Sequence, residues 1–170
     1  MREAGSILTL NVGSSSLKFA VYEAVAGLPL KMEGQISGLN GTPRMRVRVE
    51  GATRLDELWG EQLGLEAVLE RLFDWLTLDG WTADLAAVGH RIVHGGRDFR
   101  QPRVLCGEVR AKLEELCSLA PLHQPFNLRG VEIVGRRLPS VLQVGVFDTA
   151  FHADQPEAAR LYALPRDLIE

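Results

Sequence analysis

A polar turn near the start of the chain carries residue types that bind phosphate. An alternating apolar segment leads into a glycine and three serines and ends in a lysine. Gly13 permits a strained backbone and close approach of a ligand, Ser14 and Ser16 offer hydroxyl groups, and Lys18 adds a positive charge. Asn11 offers a side-chain oxygen of the kind that Mg²⁺ prefers. The spacing differs from that of the P-loop, and a plain β-hairpin with a polar turn accounts for it equally well.

A second segment, Val88–Gly96, places one arginine and two histidines among apolar residues. Charged residues are seldom buried without a partner, so we expect Arg91 to face a cleft and to bind a carboxylate or phosphate in bidentate geometry. A structural ion pair is the alternative. His90 and His94 would lie about 13 Å apart on one face of a strand, too far for one metal ion. Hydrogen-bonded structural roles, or positions at the rim of a cleft, are expected for both.

A third segment ends a predicted strand with an acid. Asp148 lies just beyond the strand predicted at 141–146. Ligands of open α/β sheets bind at the carboxyl ends of strands, so Asp148 is the third candidate for the site.

The remaining pattern predicts a mixed α/β sheet with helices packed on it. Strands are expected in the first fifty residues, with clear alternation at 45–50. Apolar residues at helical spacing from Leu65 to Leu76 predict a buried helix, and a second helix is expected around 109–117. Asn127 is expected to cap a third helix that ends before Pro139. The predicted order is three strands, a helix, a strand, two helices and a strand.

Composition agrees with a single soluble domain. The chain has 170 residues and a formal net charge of -3, which gives no reason to expect nucleic acid or an anionic membrane as a partner. It lacks an uninterrupted apolar run of membrane-spanning length. Cys106 and Cys117 have no metal-type spacing, and free thiols indicate a reducing, cytoplasmic compartment.

Together these segments resemble the signatures of the acetate kinase family. The matching patterns are Asn-x-Gly-Ser-Ser-Ser-x-Lys at 11–18, His-Arg-Ile-Val-His-Gly-Gly at 90–96 and Phe-Asp-Thr-Ala-Phe-His at 147–152. The resemblance extends to Ala-Pro-Leu-His at 120–123 and Leu-Tyr-Ala-Leu-Pro at 161–165. One departure is Gln124, where the family usually has asparagine before the proline, and it concerns the fine shape of the acceptor pocket.

The resemblance implies a fold and a domain organisation. The fold would be that of the acetate and sugar kinase, Hsp70 and actin superfamily, a ribonuclease H-like (actin-like ATPase) α/β domain. Family members have two such domains around a cleft that closes on ATP. Residues 1–170 would form the amino-terminal domain, and the second, nucleotide-closing domain would lie outside this chain. The full-length enzyme would be a homodimer.

The resemblance also implies an activity, reversible phosphoryl transfer between ATP and acetate that gives acetyl phosphate and ADP. Arg91 and Asp148 would be catalytic, and Mg²⁺ would accompany ATP. The substrate-binding residues would be Arg91, Val93, Leu122 and His123, the phosphate-binding residues Lys18, Ser14 and Ser16, and the metal ligand Asn11. A domain of a propionate or butyrate kinase is the nearest alternative. The isolated chain is expected to be inactive or very weak, and a nonenzymatic binding or interaction domain is the alternative from another class.

Overall fold

A mixed β-sheet forms the framework of the chain. The computed structural model describes residues 5–156, 159 and 165. Its strands are β1 (Ser6–Val12), β2 (Ser16–Glu23), β3 (Leu30–Ser37), β4 (Arg44–Val49), β5 (Ala52–Leu58), β6 (Leu85–Ile92), β7 (Arg103–Val104) and β8 (Leu142–Phe147). Its helices are α1 (Leu65–Leu78), α2 (Gly107–Glu115), α3 (Gln124–Arg137) and α4 (Asp148–Phe151), with a 3₁₀ turn at Leu116–Ser118.

The order of the strands brings three carboxyl ends to one edge. The sheet runs β5-β4-β3-β2-β1-β6-β8-β7. Strands β1 to β5 form an antiparallel meander, whereas β6 is parallel to both β1 and β8. The ends of β1, β6 and β8 at Val12, Ile92 and Phe147 therefore lie side by side, which is the arrangement that open α/β sheets use for ligands.

Helices α1 and α3 cover one face of the sheet. The buried side chains of β1 and β2 alternate with partly exposed ones, as expected for strands with one covered face. The stripe predicted on α1 is confirmed, since Val68, Leu69, Leu72, Phe73 and Leu76 are all buried in the core. Ion pairs at the outer surface join the two helices, where Arg136 and Arg137 contact Glu66, Glu70 and Asp74.

The number of strands before α1 was predicted wrongly, because five are present where three were expected. The strand predicted at 45–50 is β4, but its two neighbours in the sheet, β3 and β5, were both missed. Strand β5 lies at the edge of the sheet and is mostly exposed, so it lacks the alternation that identifies a half-buried strand. The turn between β4 and β5 has positive φ at Glu50 and Gly51 (51° and 79°), as a two-residue hairpin turn of this kind requires.

The start of α3 was also predicted wrongly. The helix begins at Gln124, and Asn127 lies inside its first turn, where its backbone N–H already donates to the carbonyl of His123. Pro125 explains the earlier start, because proline has no N–H to satisfy and its fixed φ suits the first helical positions. The side chain of Asn127 is therefore free for another role.

A tight contact in the core gives a prediction for stability. Gly34 of β3 pairs with Phe19 of β2, and a Cβ atom at residue 34 would overlap the ring of Phe19. That ring is buried and packs against Trp75 of α1, so moving it aside would disturb the core. We expect Gly34→Ala to lower the free energy of unfolding by about 1 to 3 kcal/mol, as overpacked cores do.

Urea denaturation of the variant measures this loss. The matched control is Gly41→Ala, because an added Cβ at residue 41 meets no atom within 4 Å. Equal midpoints for Gly34→Ala and the control would contradict the prediction.

Candidate active site

The site residues predicted from the sequence gather at the edge where β1, β6 and β8 end. Asn11 is the penultimate residue of β1, Arg91 is the penultimate residue of β6, and Asp148 directly follows β8. Each strand is buried on its other face, so alternation directs Asn11 and Arg91 away from the helices. Three segments far apart in the sequence thus meet as the motifs predicted.

Arg91 and Asp148 form a bidentate ion pair. Arg91 Nε donates to Asp148 Oδ1 at 2.9 Å and to Oδ2 at 3.1 Å, and Nη2 donates to Oδ2 at 2.8 Å. The carboxylate raises the pKa of the Arg91 guanidinium further above its ordinary value. The Arg91 side chain is 58% exposed and the Asp148 side chain 34% exposed. Arg91 therefore both faces a cleft and forms an ion pair, which are the two alternatives that the sequence left open.

One edge of the Arg91 guanidinium is left for a ligand. Asp148 uses Nε and Nη2, and within residues 5–156 no side chain or backbone oxygen accepts a hydrogen bond from Nη1. A guanidinium can hold two oxyanions, one on each edge, because it has five N–H donors in a plane. The described arrangement orients the arginine and keeps its outer edge available.

The serine turn connects β1 to β2. Gly13 N donates to Ser16 O at 3.0 Å, and Asn11 pairs across the hairpin with Lys18. Gly13 does not have a positive φ, so the turn does not use a left-handed backbone at this residue. Its size matters instead, because an added Cβ would lie 3.2 Å from the Ser16 carbonyl oxygen. In the described residues the hydroxyls of Ser14 and Ser16 have no protein partner, so both can bind a ligand.

A cavity of about 710 Å³ lies on the sheet face opposite the helices. Three of the predicted site residues, Asn11, Lys18 and Arg91, line it together. Its other charged lining residues are Glu33, Arg46 and Arg48, of which Arg48 pairs with Glu33 and Arg46 pairs with Asp56. The cavity wall thus has an excess of positive charge, which suits an anionic ligand.

Comparison with known proteins identifies the family to which this chain belongs. The family model described as "Acetokinase family" matches residues 6–170. The chain belongs to the acetokinase family. The acetate kinase of Rhodopseudomonas palustris (strain TIE-1) is 42% identical over 168 residues, and that of Dichelobacter nodosus is 42% identical over 170 residues. Each alignment covers 96% of this chain but only 42% and 41% of the relative, respectively, so the chain spans less than half of their length.

Solved structures agree with the predicted fold class. A propionate kinase from Francisella tularensis superposes with a TM-score of 0.83 at 31% identity, covering 96% of this chain and 42% of that one. Acetate kinase from Porphyromonas gingivalis gives a TM-score of 0.81 at 36% identity, covering 97% and 42%. The prediction of a mixed sheet with packed helices is confirmed, and the topology is consistent with the actin-like ATPase α/β fold of acetokinase-family proteins.

The remaining predicted residues of this acetokinase-family chain lie near the start of α3 or just beyond β6. Val93 is half-buried, Leu122 is 73% exposed, and His123 is an exposed residue that immediately precedes α3. The described residues therefore do not enclose Val93 and Leu122 in a closed apolar slot. The matching residues 161–164 lie outside the described part of the chain.

Two buried amides at this edge were missed as site residues. Gln124 and Asn127 lie three positions apart on α3 and hydrogen-bond to the segment that follows Arg91. In the sequence, Gln124 stands out only as a departure from the family pattern, and Asn127 is predicted to cap the helix. The available signal was their spacing, which places both amides on one face of a helix that otherwise buries apolar residues.

The two histidines have separate structural surroundings. His90 is 2% exposed, and burial lowers its pKa to about 4. With the Gln143 amide oriented to satisfy its neighbours, its nitrogen donates to His90 Nε2 at 2.9 Å. His94 Nδ1 instead accepts from Gly96 N at 2.9 Å, which leaves its proton on Nε2 when the ring is neutral. Both rings are hydrogen-bonded, as expected from the sequence.

Proposed function

We propose that this chain is the amino-terminal domain of an acetate kinase, which transfers a phosphoryl group reversibly between ATP and acetate to give acetyl phosphate and ADP. The observation that carries the proposal is the oriented Arg91, held by Asp148 beside a cationic cavity that also contains Asn11 and Lys18. Membership of the acetokinase family and relatives named acetate kinase support it. The domain comprises residues 1–170, and a second domain outside this chain closes the site.

Arg91 and Asp148 are the proposed catalytic residues. Phosphoryl transfer spreads negative charge over the transferred group, so the protein acts chiefly by positioning and electrostatic stabilisation. The free edge of Arg91 binds the acetate carboxylate and then the phosphoryl oxygens, while Asp148 fixes the plane of the guanidinium. No general base is needed, because acetate is already ionised at neutral pH.

The serine turn is the proposed phosphate site. Lys18 and the free hydroxyls of Ser14 and Ser16 would contact the ATP phosphates. Within the described residues no group of three histidine, cysteine or acidic side chains could hold a metal. Asn11 and Asp148 nevertheless supply the hard oxygen atoms that Mg²⁺ prefers, and Mg²⁺ usually completes its shell with water and substrate phosphates. When bound, the ion neutralises charge on the phosphates.

The acetate methyl group is proposed to lie against Val93 and Leu122, with His123 donating to phosphoryl oxygens. Because Leu122 is largely exposed, the slot would close only when further polypeptide covers it.

None of the helices in the described part of the chain has the length and apolar character needed to cross a bilayer. The free thiols of Cys106 and Cys117 support a cytoplasmic location for the enzyme, and we expect the full-length protein to be a homodimer.

Acetyl phosphate formation tests the proposal. The assay supplies acetate, ATP and Mg²⁺ and traps the product with hydroxylamine. It compares this chain with a fusion of the chain to the carboxyl-terminal remainder of the Rhodopseudomonas palustris relative. Activity in the fusion and little in the chain alone supports the proposal. A folded fusion that binds ATP but makes no acetyl phosphate refutes the activity, and full activity of the chain alone refutes the half-site interpretation.

A propionate kinase is the second candidate, favoured by the superposition on the Francisella tularensis propionate kinase. One methylene in an apolar pocket changes transition-state binding by about 1 to 3 kcal/mol, so even an acetate kinase should accept propionate weakly. The ratios of kcat/KM for acetate, propionate and butyrate in the fusion separate the candidates.

A further inference from the structure

The parallel ladder between β1 and β6 stops before the two strands end. Its last pair is Leu10 with His90. No pair between the two strands follows it, and the carbonyl of Val12 and the N–H of Val93 bond to a side chain rather than across the ladder. Buried backbone groups in such a position need other hydrogen bonds.

Asn127 supplies both missing bonds. Its Nδ2 donates to Val12 O at 2.7 Å, and its Oδ1 accepts from Val93 N at 2.9 Å. The residue is only 7% exposed. A side-chain amide carries the same donor and acceptor as a peptide group, so Asn127 acts as an extra link between the two strand ends.

Two neighbours on the same face of α3 make this link possible. Gly130, one turn later, lies against Val12, where an added Cβ would be 2.8 Å from Val12 Cγ2. Its missing side chain lets the helix approach β1 closely enough for Asn127 to reach the carbonyl. Gln124, one turn earlier, accepts from His94 N at 3.2 Å and donates to His94 O at 3.0 Å. The helix thus fixes the segment after Arg91 at two successive residues.

We propose that Asn127 is a positioning residue that sets the separation between the serine turn at 13–16 and the strand end that carries Arg91. Val12 immediately precedes the turn, and Val93 is two residues from Arg91. A phosphate held by the turn and the guanidinium would need both groups at one fixed separation. The fixed separation of the two segments is inferred from the hydrogen bonds alone, whereas its consequence for phosphate binding rests on the proposed function.

Two substitutions with side chains of similar size to asparagine test the two hydrogen bonds of Asn127. Asn127→Asp keeps the oxygen that accepts from Val93 but places an oxygen against the Val12 carbonyl. Asn127→Leu removes both bonds without adding charge. The matched control is Asn40→Asp, the same chemical change at an exposed turn residue.

NMR of the ¹⁵N-labelled 170-residue chain measures the positional effect. Hydrogen exchange of the Val93 amide should accelerate at least tenfold in Asn127→Leu and much less in Asn127→Asp. Residual dipolar couplings should show the amides of 13–16 and 91–94 as one rigid unit in the wild type and in Asn40→Asp, and as two loosely coupled units in both Asn127 variants. Unchanged exchange and unchanged relative orientation in Asn127→Leu would overturn the proposal.

Titration with inorganic phosphate then measures the consequence. In the wild type, signals of the serine turn and the Arg91 Nε signal should shift along one binding curve, and the apparent Kd should rise at least tenfold in Asn127→Leu. Loss of rigidity with an unchanged Kd would overturn the role in ligand positioning. If the wild type binds no phosphate, the phosphate site of the proposed function is wrong, while the dipolar couplings still decide whether Asn127 fixes the two strand ends.

Discussion

Alanine in place of Arg91 is expected to reduce acetyl phosphate formation by the two-domain fusion about 10³-fold or more. Arginines that stabilise a transferring phosphoryl group contribute factors of this size. Part of the loss should appear in kcat, because an arginine that stabilises the transferred group acts in the transition state, and part in the KM for acetate, because Arg91 is also proposed to bind its carboxylate. The hydroxylamine assay with saturating ATP and acetate measures it directly.

Lysine at the same position should restore little of this activity. Asp148 holds Arg91 through two nitrogen atoms, and the remaining edge serves the ligand. An ammonium group is a single point charge, so it cannot hold the aspartate in bidentate geometry and present a second edge. Asp148→Asn should also lower kcat strongly, because it removes the charge that fixes the guanidinium.

The matched control is Arg54→Ala, which removes an exposed arginine of β5 that does not line the cavity. Its activity should remain close to that of the unsubstituted fusion. An Arg91→Ala variant with kcat within a factor of ten of the control would contradict the proposed role of Arg91.

The positions of the main candidate site residues in the fold were predictable because these residues belong to strand ends. The sequence places Asn11, Arg91 and Asp148 each near the end of an apolar segment, and parallel strands bring such ends together. The helical stripe of α1 was equally clear, since burial of one face demands apolar residues at that spacing. Strong local patterns therefore led to the correct framework.

Long-range hydrogen bonds were not predictable in the same way. Asn127 bonds to Val12, 115 residues earlier in the chain, and nothing in the local pattern indicates that contact. The preference of asparagine for helix caps pointed to a different role, and Pro125 decided where the helix starts. Strand β5 was missed for a related reason, since an exposed edge strand does not need the alternation that burial imposes.

Acid should destabilise this domain through His90. The folded-state pKa of His90 is about 4, against 6.5 for the ordinary side chain. Between these values the unfolded chain binds a proton that the folded chain does not, so the free energy of unfolding falls as the pH drops from 6.5 to 4. The difference between the two pKa values corresponds to a loss of about 3 kcal/mol in the free energy of unfolding. Well above pH 6.5 the His90 contribution should not change with pH, because the ring is then neutral in both states.

Urea denaturation between pH 4 and 7.5 measures this dependence in the wild type and in His90→Gln. Glutamine has no titratable group, so the difference between the two proteins isolates the histidine from the carboxylates. Those carboxylates act at lower pH, since Asp56 and Glu66 have their pKa lowered by hydrogen bonds from arginines. We expect the free energy of unfolding of the wild type, relative to that of His90→Gln, to fall as the pH drops from 6.5 to 4. Parallel curves would mean that His90 is protonated in the folded state at the same pH as in the unfolded state, which would contradict the buried neutral ring that accepts from Gln143.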